Sequence, residues 1–267
     1  MSHGTNHWQS KAHGVPLYEA ERFEGQLRIA AELGFQSISY DDLALWRDDA
    51  TPLPERPIMF DFDHPNKAIL PLWRLMERYG FKGNLFVNTS PMEKVYMDHV
   101  YMTWDELREV QASGWHIGSH THNHMEMSYM ARKDPSGGLI REQMEKCDAI
   151  LEEHLGIISQ DFAFTGITWS QATEDVVKER YRFARLWIVG SRYETDEGEV
   201  RYADMVGVPG DEEDDGGPPF AARYITKASN SYRLPSMDLE YLVYEYDAFR
   251  RYLEGAFQAT EATAEVT

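Results

Sequence analysis

The order of apolar and polar residues along the chain predicts alternating helices and strands. In the helical segments apolar positions recur three or four apart, which is typical of a helix with one buried face. The strand segments are short apolar runs, as expected for strands that are buried on both faces. Helices are predicted at 19–34, 41–47, 68–80, 104–113, 139–155, 173–182 and 239–254, and strands at 35–40, 58–62, 84–87, 115–118, 161–164 and 183–189. This alternation favours an α/β fold.

Capping signals support several of the predicted helix ends. Thr103 and Glu106 have the spacing of a capping box at the start of one helix. Thr173 is a candidate N-cap, and Gly156 follows the clearest amphipathic helix as a stop signal. These signals place the boundaries of the helices more firmly than the apolar pattern alone.

Length and composition narrow the classes of function. The 267 residues fit one large domain or two small ones. There are 45 acidic and 26 basic side chains, which gives a formal net charge of −19. This charge argues against binding to nucleic acids or to anionic membrane surfaces, since both rely on Lys and Arg. The single cysteine, Cys147, excludes an intrachain disulfide and a cysteine-based zinc site.

The first thirty residues contain no apolar run of the length that a signal peptide needs, roughly 7–15 residues. The sequence as written therefore predicts a cytoplasmic protein, with secretion as the alternative if the sequence has been trimmed. An acidic stretch at 194–219 is interpreted as a surface excursion. Its run at 211–215 lacks the spacing of an EF-hand and is interpreted as a solvated loop.

Two aspartates stand at the end of the predicted strand 58–62. Side chains two residues apart in a strand point to the same side, so Asp61 and Asp63 should lie together. Two carboxylates side by side repel each other unless a cation lies near them. The alternative interpretation is a polar strand end that caps the next helix.

Three histidines follow the predicted strand 115–118. His120 and His124 are four residues apart, a spacing that brings two imidazoles onto one metal ion when the segment turns helically. His122 would then face away, or it would join them in an extended segment. The alternative interpretation is a polar surface loop.

Both groups of residues follow predicted strands, and functional residues of α/β barrels cluster at the carboxyl ends of strands. One Asp and two His form a three-ligand set that leaves a position for water, as catalytic zinc sites require. The remaining aspartate would then be available as a base. Taken together, the two motifs predict a catalytic metal site.

The two motifs resemble those of the polysaccharide deacetylase family, the NodB-homology carbohydrate esterases. The first motif of that family ends a strand with Thr-Phe-Asp-Asp-Gly or Phe-Asp-x-Asp, and the chain has Met-Phe-Asp-Phe-Asp at 59–63. The second is His-Ser/Thr-x-x-His, and the chain has His-Thr-His-Asn-His at 120–124. Further similarity is found at 79–87, 103–120, 149–156 and 232–235, so that the resemblance extends from about 17 to about 247.

The resemblance implies a distorted (β/α) barrel of the NodB-homology type that binds one divalent metal ion, with zinc first and cobalt, nickel or manganese as alternatives. It also implies removal of an N-acetyl or O-acetyl group from a saccharide. Carried over residue by residue, Asp63, His120 and His124 would hold the metal, and Asp61 would be the general base. The catalytic domain would span 17–255, between an N-terminal extension at 1–16 and a tail at 256–267.

The chain departs from the family pattern in its later motifs. The third-motif region, 162–169, lacks the arginine that would orient the base, and 234–238 lacks the Leu-x-His of the fifth motif. The acid that protonates the leaving group is therefore unassigned. His64 and His122 are candidates, either for this acid or for hydrogen bonding to the metal ligands.

Thr165 and Trp169 are candidate substrate-binding residues, and Trp169 could stack on a sugar ring because it follows the third-motif loop. The negative charge of the chain favours a neutral or cationic saccharide over a phosphorylated one. Two alternatives remain open. One is hydrolysis of a small non-sugar amide or cyclic imide on the same fold, and the other is a non-catalytic barrel that binds a metal or a carbohydrate. The sequence does not indicate an oligomeric state.

Overall fold

A computed structural model describes residues 2–4, 17–94, 100–165, 169–186, 192–194, 200–202, 224–239 and 245–264. Its strands are β1 (Ser2–Gly4), β2 (Gln36–Ser37), β3 (Pro57–Ile58), β4 (Phe60–Asp63), β5 (Asn84–Val87), β6 (His116–Ser119), β7 (Asp161–Ala163), β8 (Phe183–Arg185), β9 (Arg192–Glu194), β10 (Val200–Tyr202) and β11 (Met237–Asp238). Its helices are α1 (Leu17–Glu32), α2 (Tyr40–Arg47), α3 (Ile69–Arg78), α4 (Trp104–Ala112), α5 (Met127–Lys133), α6 (Gly138–Leu155), α7 (Gln171–Val177) and α8 (Tyr246–Ala264), with a 3-10 helix at Ser90–Glu93.

A parallel sheet forms the centre of the fold. Its strand order is β11-β1-β4-β5-β6-β7-β8, so that β4 to β8 lie side by side in the order of the chain. All neighbouring strands of this sheet are parallel, and helices connect successive strands. The chain therefore forms a distorted (β/α) barrel, as the sequence predicts.

The strands are covered by helices on the outside. The residues of β4 and β5 are all buried, as expected for strands with both faces covered. Phe60 and Phe62 lie on the helix-facing side of β4, where each ring meets the edge of Phe23 in α1 at about 6 Å. Side chains alternate along a strand, so Asp61 and Asp63 point the other way, into the barrel. This alternation places the carboxylates on the side opposite the aromatic core.

Most predicted helix boundaries agree with the structure. Thr103 and Glu106 form both hydrogen bonds of a capping box at the start of α4. Gly156 ends α6 with a φ of 68°, in the left-handed region that favours glycine. Cys147 of α6 is buried, as the amphipathic pattern predicts.

Other boundaries differ from the sequence prediction. Ser170, not Thr173, caps α7, because its side chain accepts from the backbone N–H of Thr173 and thereby starts the helix earlier. The last helix was expected at 239–254 but begins at Tyr246 and continues to Ala264. Of the predicted strand 183–189, β8 covers 183–185, and residues 187–189 lie outside the described residues.

The ends of the chain add two observations on the predicted domain limits. Within the expected N-terminal extension, Ser2–Gly4 form β1 between β4 and β11. Helix α8 continues past residue 255 into the expected tail. The acidic run at 211–215 lies outside the described residues. No helix in the described parts of the chain is both long enough and apolar enough to span a bilayer.

Candidate metal centre

The carboxyl ends of β4 and β6 bring the two sequence motifs together. Strand β5 lies between them and hydrogen-bonds to both. The backbone N–H of His64 donates to the carbonyl of Phe86 at 2.9 Å, and that of His120 donates to the carbonyl of Val87 at 3.0 Å. The sheet therefore anchors one histidine on each side of β5, at the edge where functional residues of barrels are found.

Three histidines form a compact cluster at this edge. One ring nitrogen each of His64, His120 and His124 lies within 4.8 Å of the others. The ring centroids are 4.8 Å apart for His120 and His124, 5.0 Å for His64 and His120, and 4.3 Å for His64 and His124. His64 and His120 are buried, and His124 is half-buried. We call these three side chains the imidazole cluster.

The second motif is a loop with an unusual backbone rather than a helix. Thr121 and His124 have φ values of 63° and 58°, in the left-handed region that is rare for residues other than glycine. The Thr121 hydroxyl oxygen accepts a hydrogen bond from the backbone N–H of His124 at 3.0 Å. This turn brings His124 back toward His120, so the convergence that the sequence predicted is present without the predicted helical turn.

The orientation of His120 suits a metal ligand. Its Nδ1 lies 2.8 Å from the carbonyl oxygen of Ala163, which can only accept, so Nδ1 carries the proton. Its buried Nε2 then bears the lone pair, and this nitrogen has no hydrogen-bond partner among the described residues. Burial, with the neighbouring imidazoles of His124 and His64, lowers the pKa of His120 well below its ordinary value. A neutral imidazole held through its other nitrogen is the usual form of a histidine ligand.

Asp63 lies beside the imidazole cluster. Its Oδ2 is 3.9 Å from Nε2 of His120, and its Oδ1 forms an ion pair with the guanidinium of Arg185. A carboxylate and imidazoles are a donor set that divalent zinc accepts. The side chains at this site therefore fit a divalent cation.

Asp61 is fully buried and is held by two hydrogen bonds and an ion pair. The Tyr40 hydroxyl donates to its Oδ2 at 2.9 Å, and the Asn84 amide donates to its Oδ1 at 3.0 Å. Nε of Arg185 lies 3.3 Å from Oδ2. Both aspartates thus contact the same guanidinium, which confirms that they lie on one side of β4.

Arg185 places an arginine beside the two aspartates, although the third-motif region has none. The family pattern leads one to expect this arginine at 162–169, after β7, whereas Arg185 comes from β8. Its side chain is fully buried, and it bridges Asp61 and Asp63. Burial lowers the pKa of Arg185, but the charges of the two carboxylates outweigh this effect and raise it. An arginine inside an apolar strand was the sequence signal for this role, since a charge is rarely buried without a partner.

The remaining candidates lie outside the imidazole cluster. The Nδ1 of His122 contacts the Thr89 hydroxyl at 2.9 Å, and its Nε2 lies 3.4 Å from Glu93, so its ring is engaged elsewhere. Thr165 donates its hydroxyl to the carbonyl of Met125 at 2.6 Å. Its role in substrate binding stays a prediction.

Trp169, the predicted sugar-stacking residue, lies in the interior of the protein. Its side chain is only 3% exposed and belongs to a buried apolar cluster. Its indole N–H donates to Glu174 at 3.0 Å, and the guanidinium of Arg233 lies 4.5 Å from the ring centroid. This environment favours a structural role and argues against stacking on a substrate.

Comparison with known proteins agrees with the geometry. The family model described as polysaccharide deacetylase matches residues 50–181, which include both motifs. This part of the chain belongs to the polysaccharide deacetylase family. No curated protein matches the chain. Arg185 lies just beyond the matched stretch.

Solved structures of deacetylases share the fold. IcaB from Ammonifex degensii is 13% identical, with a TM-score of 0.63 over 88% of this chain and 88% of IcaB. The BpsB deacetylase domain from Bordetella bronchiseptica is 16% identical, with a TM-score of 0.59 over 85% of this chain and 86% of that domain. The Streptococcus pyogenes deacetylase PplD, solved in complex with acetate, is 15% identical, with a TM-score of 0.58 over 67% of this chain and 80% of PplD. The chain therefore has the NodB-type (β/α) barrel of the polysaccharide deacetylases.

Proposed function

We propose that this protein is a metal-dependent hydrolase that removes N-acetyl groups, or O-acetyl groups, from a saccharide. One observation carries the proposal: two buried aspartates, bridged by Arg185, lie beside a cluster of imidazoles at the carboxyl ends of the barrel strands. Membership of the polysaccharide deacetylase family supports a hydrolase that acts on amide C–N bonds. The acetate in the PplD structure is the product that such a reaction releases.

We assign Asp63, His120 and His124 as the protein ligands of a divalent metal ion. Zinc is the first choice, because it accepts both imidazole and carboxylate donors, and cobalt, nickel and manganese are the alternatives. When bound, the ion lowers the pKa of a water molecule and polarises the acetyl carbonyl. The buried Nε2 of His120, with Nδ1 held by Ala163, supports this assignment.

Asp61 is proposed as the general base. Its carboxylate would accept the proton of the attacking water as the water oxygen adds to the acetyl carbon. Collapse of the tetrahedral intermediate then breaks the C–N bond, and the amine leaves with a proton, so that acetate and a free amine are formed. The hydrogen bonds from Tyr40 and Asn84 fix the carboxylate, so it need not reorganise when the proton arrives.

Arg185 is proposed as a positioning residue for this base. Its guanidinium lies between Asp61 and Asp63 and neutralises part of their combined charge. Without it, two buried carboxylates would repel each other, and one would take up a proton and lose its capacity as a base or a ligand. The non-catalytic barrel was favoured by the missing arginine at 162–169 and by the missing Leu-x-His of the fifth motif, and Arg185 weakens the first of these two arguments.

Acetate release from N-acetylated oligosaccharides tests the proposal. The protein would be loaded in turn with zinc, cobalt, nickel and manganese, and a panel of small amides and cyclic imides would be assayed in parallel. We expect release from at least one neutral or cationic N-acetylated saccharide. We expect Asp61→Asn to abolish it, because an amide cannot accept the proton. Asp105→Asn is the matched control, since Asp105 is exposed on α4 and its loss should leave the rate unchanged.

Each alternative has a distinct outcome in this assay. If only the small amides or cyclic imides are turned over, the substrate of this site is a small non-sugar compound and not a saccharide. Stoichiometric metal without turnover of any substrate would favour the non-catalytic barrel. Protein that binds none of the four metals would contradict the proposed mechanism.

A further inference from the structure

His64 occupies a strained position directly after the two aspartates. Its φ of 63° lies in the left-handed region, where a side chain is crowded by the backbone and glycine is favoured. Non-glycine residues keep this conformation where the surrounding structure holds them, and such positions cluster at functional sites.

The ring of His64 is held in the same way as the ring of His120. Its Nδ1 lies 2.7 Å from the side-chain oxygen of Asn88, and both residues are buried. An amide oxygen accepts hydrogen bonds, so Nδ1 carries the proton and Nε2 bears the lone pair. A second ligand-like imidazole at this edge is therefore held through Nδ1 by a neighbour that is itself buried.

His64 also completes the imidazole cluster. Its ring centroid lies 4.3 Å from that of His124, closer than His124 lies to His120. Nitrogen lone pairs that converge in a buried site repel each other unless a cation lies between them. Asp63, by contrast, is shared with Arg185 and lies outside the group of three mutually close donors among the described residues.

From these observations we infer that His64 is a third imidazole ligand of the metal ion. The ligand set then comprises His64, His120 and His124, with Asp63 as a carboxylate donor shared with Arg185. This inference rests on the proposed function, since it concerns the same metal ion. It assigns His64 to the ligand set rather than to protonation of the leaving group.

Cobalt binding to the intact protein tests the inference without an activity assay. The dissociation constant for Co²⁺ would be measured by competition with a chromophoric chelator, and the ligand set by visible absorption. The main variant is His64→Gly, because glycine adopts a φ of 63° without strain and the fold should be retained. We expect its affinity for Co²⁺ to fall about 100-fold or more and its absorption bands to shift. Added imidazole should restore the wild-type spectrum by filling the space that the ring leaves.

Two further variants support the test. His64→Gln keeps a side chain of similar size but lacks the imidazole, so we expect it to weaken Co²⁺ binding as well. His154→Gln is the matched control, because His154 of α6 is stacked on Trp104 of α4, with ring centroids 4.1 Å apart, and its loss should leave the affinity unchanged. Circular dichroism of each variant would verify the fold.

The outcomes separate this inference from the proposed function. If wild type binds Co²⁺ and both His64 variants bind it within about twofold with the same spectrum, the inference is wrong and the metal site stands. If wild type binds neither Co²⁺ nor zinc, nickel or manganese, the proposed metal dependence and the inference are both wrong.

Discussion

His116 supports a quantitative prediction of stability against pH. It begins β6, at the end of the sheet opposite to the imidazole cluster, and its side chain is 11% exposed. Its Nε2 lies 3.0 Å from Asp161, and its Nδ1 lies 3.8 Å from Asp41. Arg182 donates to both oxygens of Asp161 at 3.0 and 2.8 Å and also contacts Asp41. Two cations and two carboxylates therefore form one partly buried network.

The protonated form of His116 should stabilise the fold by a few kcal/mol. Burial by itself lowers the pKa of His116, but the nearby carboxylates of Asp161 and Asp41 outweigh this effect and raise it from 6.5 to about 9. That difference corresponds to about 3 kcal/mol in the free energy of unfolding. Because the folded state holds the proton more tightly, this stabilisation is complete below pH 6.5. It is lost as the pH rises through about 9.

Urea denaturation between pH 6 and pH 10 measures this contribution. We expect the free energy of unfolding of wild type to fall over this range by about 3 kcal/mol more than that of His116→Gln, which has no group to titrate. His154→Gln is the matched control and should follow the wild-type curve. Parallel curves for wild type and His116→Gln would refute the reasoning, as would a His116 pKa near 6.5 in an NMR titration of the folded protein.

Three further predictions concern other buried groups. Arg185→Met should destabilise the protein by about 3–5 kcal/mol in urea denaturation, because it leaves two buried carboxylates without their cation. It should also abolish acetate release, whereas Arg185→Lys should recover part of the stability. A stable and active Arg185→Met variant would contradict the proposed role of Arg185. Burial raises the pKa of the Cys147 thiol to about 12, so a disulfide reagent should label this thiol at pH 8 only after unfolding. Labelling of the folded protein would show that the thiol is accessible to solvent. Gly118→Ala should lower the melting temperature, because the added Cβ would lie 2.5 Å from the Phe86 ring and 3.1 Å from the Asp161 carbonyl. Gly80→Ala is the comparison variant. Its added Cβ has nothing within 4 Å but its φ is positive, so this variant measures backbone strain without crowding.

The local pattern of the sequence determined most of the elements and the residue types of the site. Apolar periodicity and capping signals located the helices and the buried strands, because these depend on neighbours within a few positions. The paired positions Asp61 and Asp63 followed from strand alternation alone. The convergence of His120 and His124 followed from their spacing, although a left-handed turn and not a helix brings them together.

The partners of those residues were decided by the tertiary structure. Arg185 is 122 residues from Asp63 in the chain, and only the parallel order of the strands brings its guanidinium between the aspartates. Trp169 follows a motif-bearing loop, yet its side chain packs inside a buried apolar cluster. The proposed role of His64 as a metal ligand depends on its backbone φ and on its hydrogen bond with Asn88. Neither feature produces a periodic signal in the sequence. The local pattern of a segment indicates which of its faces is buried. Ion pairs and the convergence of metal ligands depend on which distant segments come into contact in the fold.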